Sequence, residues 1–178
     1  MAKPTSAEVA SFGPSTIPFG RNPLKNYADH YKEAHWVKSD FEDKIHDASD
    51  DGLPLYPDQV EYLPTTDIES LRVLLAAQET KKKYCYLWVL DFDGIKILYE
   101  GTPNFLDEGS KMVKHTNITG GQEAFHGGEL FVSQDQKLFV NNKSDRYGRA
   151  EITYWQAAIA YFKKTYNKYT VIDLSSLI

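Results

Sequence analysis

One cysteine, Cys85, stands in 178 residues, so no internal disulfide can staple the chain. Its neighbours Tyr84 and Tyr86 place it in a strand, where a thiol is expected to be a buried, inert filler rather than a nucleophile. No apolar run approaches the roughly 20 residues needed to cross a bilayer, and the N-terminus lacks the charged-then-apolar pattern of a secretory signal. Synthesis in the cytoplasm, with no membrane partner, is therefore the expectation; export by a dedicated secretion system is compatible with it. Positive charge is not in excess. Twenty Lys and Arg against 25 Asp and Glu give a formal charge of −5, which excludes a global field drawing the protein to nucleic acid. Neither G-x-x-x-x-G-K-[ST] nor G-x-S-x-G occurs, so P-loop and elbow-type serine hydrolase chemistry are excluded. Internal repeats and low-complexity tracts are missing too.

What is present is a globular composition, 42% hydrophobic and 13% aromatic. A chain of this length buries roughly 70% of its unfolded surface, enough for one unaided core. Its 12 tyrosines exceed what a core needs, because buried phenols require partners.

Pro4, Pro14, Pro18 and Pro23, with Gly13 and Gly20, mark residues 1–25 as an extended arm, since proline fixes φ and removes an amide donor. The arm is expected to be dispensable. A single α+β domain spans 26–178. Within it, Tyr27, Tyr31, Ala34, Phe41 and Ile45 recur at helical spacing from Asn26, with His30 and His35 beside that stripe as ordinary surface histidines. An acidic loop follows at Asp47–Asp51. Thr66 and Glu69 form a capping box opening a helix that carries Ile68, Leu71, Leu74 and Leu75 and ends near Lys81–Lys83.

Aromatic and β-branched residues then run from Tyr84 to Phe92 and resume at Ile95 after Asp93-Gly94, a hairpin signal. A second hairpin joins Glu129–Val132 to Lys137–Val140. Ile152, Trp155, Ile159 and Phe162 share one helical face, and Val171–Leu174 makes a last strand. This order predicts an α+β fold: an antiparallel β-meander with N-terminal helices and one C-terminal helix packed on the sheet.

Polar residues capable of chemistry concentrate between His115 and Tyr147. His115, Thr116 and Asn117 precede Gly120 and Gly121, so an imidazole, hydroxyls and an amide lie beside backbone that a ligand can approach closely. In His126-Gly127-Gly128-Glu129 the glutamate opens a strand and can act as base or bind a ribose hydroxyl. Asn141, Asn142, Lys143, Ser144, Asp145, Arg146, Tyr147 and Gly148 end the second hairpin; Arg146 suits a phosphate or carboxylate, and Tyr147 suits stacking on a base. Each segment also reads as plain architecture: a polar turn, an edge-strand glutamate, a hairpin loop. His115, Glu123, His126 and Glu129 match no closed zinc site, so no metal is expected.

The hairpin Tyr86–Gly94, the His115-Thr116-Asn117 triplet, Gly120, the Gly128-Glu129 box and the Asn142–Tyr147 turn together form a pattern. It resembles the domain shared by plant IQ-motif calmodulin-binding proteins and by C-terminal modules of Rhs-type bacterial polymorphic toxins. The likeness covers about the last hundred residues. Asp145 stands where the pattern has glycine, and the calmodulin-binding IQ motif is absent, so calmodulin is not implied. The resemblance implies an effector or toxin-type domain acting on a target macromolecule of a host or competitor cell, with a possible delivery or immunity partner.

By analogy of residue types, the favoured chemistry is transfer of ADP-ribose from NAD, with His115, Glu129, Arg146 and Tyr147 catalytic. Thr116, Asn117, Gly120, Gly128, Asn142 and Ser144 would then bind ligand. The alternatives are a non-catalytic binding module whose polar cluster is a buried hydrogen-bond network, and a metal-independent ribonuclease.

Overall fold

The computed structural model describes residues 3–16, 61–100, 114–119, 122–148 and 151–176. The expected helix from Asn26 with His30 and His35, the acidic loop Asp47–Asp51 and Gly120 lie outside the described residues.

Helices and a five-stranded, mostly antiparallel sheet give the expected α+β architecture. The strands are β1 (Tyr86–Asp91), β2 (Gly94–Tyr99), β3 (His126–Val132), β4 (Lys137–Val140) and β5 (Thr170–Asp173), in the spatial order β2-β1-β3-β4-β5. Two features depart from a simple meander. β3 joins the free edge of β1 rather than β2, pairing Trp88 with Gly128 and Val89 with Gly127. β5 runs parallel to β4, because helix α5 (Ile152–Thr165) intervenes and carries the chain back along the sheet. The first hairpin turn is Phe92–Asp93, closed by the Asp91–Gly94 pair; Gly94 takes φ +117° and Asp93 N–H is capped by Asp91 Oδ1 at 2.8 Å.

Strand residues alternate between two apolar layers. Tyr86, Trp88, Leu90, Leu130, Val132, Leu138 and Val140 meet Trp155, Ala158, Ile159 and Phe162 of α5. Trp88 stacks on Trp155 with centroids 5.9 Å apart and receives the Phe162 edge at 4.8 Å. On the opposite face, Leu87, Val89, Leu98, Phe131 and Phe139 pack with Leu71 of α2 (Ile68–Ala76) and Ile118 of α4 (His115–Thr119). Burial on both faces explains why the strands read as nearly continuous apolar runs.

Two helix expectations are corrected. The cap of α2 is Asp67, whose carboxylate accepts from Ser70 N–H at 3.0 Å; Glu69 turns outward to Arg72 instead of completing a box with Thr66. The expected single helix is broken at Ala77, where ψ of 98° interrupts the ladder before α3 (Gln78–Tyr84).

The N-terminal arm is also not extended throughout. Ser6–Ser11 forms helix α1, opened by a capping box in which Thr5 and Glu8 satisfy each other's backbone amides. Phe12, only 1% exposed, enters the α5-side core against Phe125, His126 and Tyr161. Thr16 then exchanges backbone hydrogen bonds with Ala124 at 2.8 and 3.1 Å. Thr5-x-x-Glu8 is the local signature of this helix, set between Pro4 and Gly13.

Candidate functional site

Two adjacent glycines on β3 decide what lies against the sheet. Because side chains alternate, Gly127 faces the α2/α4 layer and Gly128 the α5 layer. A Cβ on Gly127 would sit 2.9 Å from Tyr147 Cβ and 3.4 Å from both His115 Cδ2 and Ser144 Cβ. The missing methyl therefore lets the His115 ring and the Asn142–Gly148 turn rest on the strand. A Cβ on Gly128 would meet the Asn141 carbonyl oxygen at 2.0 Å, so only glycine lets the end of β4 cross here. Trp88 Nε1–H reaches this crossing and donates to the carbonyls of Glu129 and Asn141 at 3.1 and 3.2 Å.

His115 lies in the short helix α4 rather than in a turn entering a strand. Its Nε2–H donates to the Gly128 carbonyl at 2.8 Å, which fixes the neutral tautomer. Burial lowers its pKa below the ordinary histidine range; the Gly128 carbonyl, Glu129 and Asp145 oppose that shift, and Arg146 adds to it. Glu129, Asp145 and Arg146 thus each lie within electrostatic reach of His115.

Tyr147 is 1% exposed and its hydroxyl is fully used. It donates to the Gln122 carbonyl at 2.7 Å and accepts from Thr119 Oγ1 at 2.8 Å. Burial pushes its pKa up to about 12. The buried ring has no open face for a base or a nicotinamide in this structure. The turn around it is tight: Ser144 Oγ accepts from Tyr147 N–H at 3.1 Å, and Ser144 O from Gly148 N–H at 2.9 Å.

Glu129 faces the α2/α4 layer and is 6% exposed, inside the strand rather than at its start. Its Oε1 accepts from Asn141 Nδ2 at 3.0 Å. Its Oε2 is ion-paired with Lys81 and lies 3.5 Å from the Cys85 thiol. The two backbones are tied as well: Glu129 N–H donates to Asn141 Oδ1 at 2.9 Å, and Asn141 N–H to the Glu129 carbonyl at 3.0 Å. Burial acts to lower the Lys81 pKa, but the Glu129 carboxylate outweighs it and holds the ammonium above its ordinary value. Burial, with Glu129 and Glu100 beside it, pushes the Cys85 thiol up, so it is the protonated filler expected.

Of the ten residues named from sequence, His115, Ser144, Arg146, Tyr147, Gly128 and Glu129 fall in one region of the sheet. Asn142 accepts from Ser175 Oγ at 3.2 Å and serves as a strut. Thr116 is wholly buried in α4, and its hydroxyl has no hydrogen-bond partner. Asn117 lies in the same helix. Lys81 and Asn141 were missed as partners of Glu129. Lys81 read as a helix-end charge, and no local pattern signals a contact made 48 positions away. A second missed pair, Lys96 with Asp91 at 2.8 Å, is nearly buried in the first hairpin. Cys85, Glu100 and Glu129 bring ligand atoms within 4.8 Å of one another, but at Glu129 the cation is already supplied by Lys81. Among the described residues, no helix is long and apolar enough to cross a membrane.

Comparison of the chain with known protein families, curated proteins and solved structures finds no match.

Proposed function

We propose that the chain is a binding module of the effector or toxin type, in which the His115, Glu129, Arg146 and Tyr147 cluster is architecture that presents a recognition surface. The observation carrying this reading is the state of Glu129: both carboxylate oxygens are committed to Asn141, Lys81 and Cys85 inside the protein. A base acting on an external substrate needs a free oxygen within hydrogen-bond reach of that substrate. Tyr147 supports the same conclusion through its buried hydroxyl bonds. What the cluster holds outward is the Asn142–Gly148 turn, with Lys143 and Asp145 exposed. The partner is then a macromolecule of a host or competitor cell, with a delivery or immunity protein as a further candidate.

Transfer of ADP-ribose from NAD is kept as the second reading, because His115 shares a neighbourhood with Glu129 and Arg146. Expression in bacterial and yeast cytosol, with purified protein assayed for NAD consumption, tests the two. No NAD turnover, with target binding lost on mutating Lys143 and Asp145, supports the module. NAD turnover abolished by Glu129→Gln in a folded protein replaces it with the transferase, and RNA cleavage without NAD replaces both.

A further inference from the structure

Three side chains in the Glu129 cluster stand in a relation that packing alone does not require. Lys81 carries an amine and Asn141 a carboxamide, and Glu129 touches both. Oε2 pairs with Lys81 Nζ, while Oε1 accepts from Asn141 Nδ2 at 3.0 Å. The carbonyl end of the same carboxamide is gripped by two backbone donors: Asn141 Oδ1 accepts from Glu129 N–H at 2.9 Å and from Lys143 N–H at 3.0 Å. Paired amide donors are what stabilise the oxygen of an amide carbon under attack. A nucleophile, a proton carrier, an electrophile and an oxyanion hole are thus gathered in one largely buried place. Glu129 is 6% exposed and Asn141 5%.

We propose that Lys81 and Asn141 become joined by an intramolecular isopeptide bond, formed by the chain itself with Glu129 carrying the proton. Glu129 Oε2 takes a proton from the Lys81 ammonium and frees its lone pair. Nζ attacks Asn141 Cγ, a C–N bond forms, and the charge developing on Oδ1 is held by the N–H groups of Glu129 and Lys143. Glu129 then returns the proton to Nδ2, the old C–N bond breaks, and the departing ammonia takes the second proton from Nζ and leaves as ammonium. An ammonium and a carboxamide give a secondary amide and an ammonium ion, with Glu129 ending as the carboxylate it began as. Neither oxidant nor cofactor enters the balance. Burial assists the first step, because a low-dielectric surrounding disfavours the charged pair relative to the neutral amine and acid. Glu129 nevertheless holds Lys81 largely protonated, so the bond forms slowly and faster as pH rises.

The product would tie α3 to the end of β4, elements 60 positions apart in sequence. Its chemistry points inward; it draws on the same Glu129 as the transferase reading, but the loss of ammonia that reports it needs no NAD and no target.

Intact-mass spectrometry of the folded full-length chain, incubated at neutral and at alkaline pH, is the test. The expected species is lighter by one ammonia, and tandem spectra of its digest show Lys81 linked to Asn141. Lys81→Arg keeps a cation opposite Glu129 but is not expected to attack the amide, so it retains full mass; circular dichroism checks its fold. Wild-type protein that keeps its unmodified mass after prolonged incubation overturns the proposal. So does ammonia loss that persists in Lys81→Arg, which would report succinimide formation at an asparagine instead.

Discussion

His126 and Phe12 are joined across 114 positions of sequence: the buried imidazole donates from Nε2 to the Phe12 carbonyl at 3.0 Å, with the two rings meeting edge to face at 6.5 Å. That contact makes residues 3–16 part of the domain. Lys3 pairs with Asp93 at 3.1 Å and Glu8 with Lys164 at 2.9 Å, but both pairs are solvent-facing and contribute little. The anchor is the Phe12 side chain.

Phe12→Ala is accordingly expected to lose about 3–5 kcal/mol, the range for emptying a buried aromatic site. Deletion of residues 1–16 should lower the melting temperature by many degrees. Chemical denaturation of the two variants checks both statements, and a truncated chain melting like the full one would restore the dispensable arm.

The glycine pair on β3 yields a comparison within one strand. Gly128→Ala drives a methyl into a backbone oxygen at 2.0 Å, which cannot move without breaking the β3–β4 crossing. Gly127→Ala meets Tyr147 Cβ at 2.9 Å and His115 Cδ2 and Ser144 Cβ at 3.4 Å, a smaller overlap that a few tenths of an ångström of movement in the Asn142–Gly148 turn relieves. Gly128→Ala is expected to cost more than the about 1–3 kcal/mol typical of overpacking, and Gly127→Ala to fall within it. Equal denaturation midpoints for the two would contradict the register that separates them.

The legibility of this fold followed the range of the interactions. Both hairpins, α5 and the strand runs were readable because alternation and the 3.6-residue period are local consequences of one buried face. The chain positions of β3 beside β1 and of β5 parallel to β4 depend on which edges remain free after collapse, and no window of residues encodes that. The same division holds at the site. His115, Glu129 and Tyr147 stood out as polar residues beside glycines, but their roles depend on Lys81, Asn141, Thr119 and Gln122, which only the sheet brings to them. Sequence thus located the polar cluster while leaving open whether it faces a ligand or the protein interior.

His115 gives the cluster a pH signature. Its folded pKa lies below the ordinary value of 6.5, mainly through burial. The unfolded chain therefore binds the proton first as pH falls, and stability present above about 6.5 is lost as the pH drops toward the lowered folded value. His115→Gln removes that titration while retaining an amide donor for the Gly128 carbonyl. Urea midpoints measured from neutral down to about pH 5 should fall more steeply for wild type than for the variant. Parallel slopes would show that His115 is not held neutral by the fold.

Glu129→Gln separates architecture from external catalysis because it preserves shape and removes charge. The carboxamide can still accept from Asn141 Nδ2, but the Lys81 ammonium loses its counter-charge, and its side chain, 17% exposed, has limited recourse to water. Breaking a fully buried pair costs about 3–5 kcal/mol. The partial exposure of Lys81 brings the expectation down to about 1–3 kcal/mol, the cost of leaving one buried polar partner unsatisfied. Alkaline pH should mimic part of this change: the raised Lys81 pKa contributes stability that is fully present below the ordinary lysine value of 10.5 and is lost as pH rises through the folded one. If the cluster is architectural, target binding per folded molecule stays near wild type while the melting temperature falls. If Glu129 instead serves an external reaction, the order reverses: melting changes little and NAD consumption drops at least about a hundredfold, the scale of acid–base contributions. Melting curves and NAD assays on the same preparation therefore assign Glu129 to one role, since the lysine that stabilises its charge also occupies the oxygen a substrate would need.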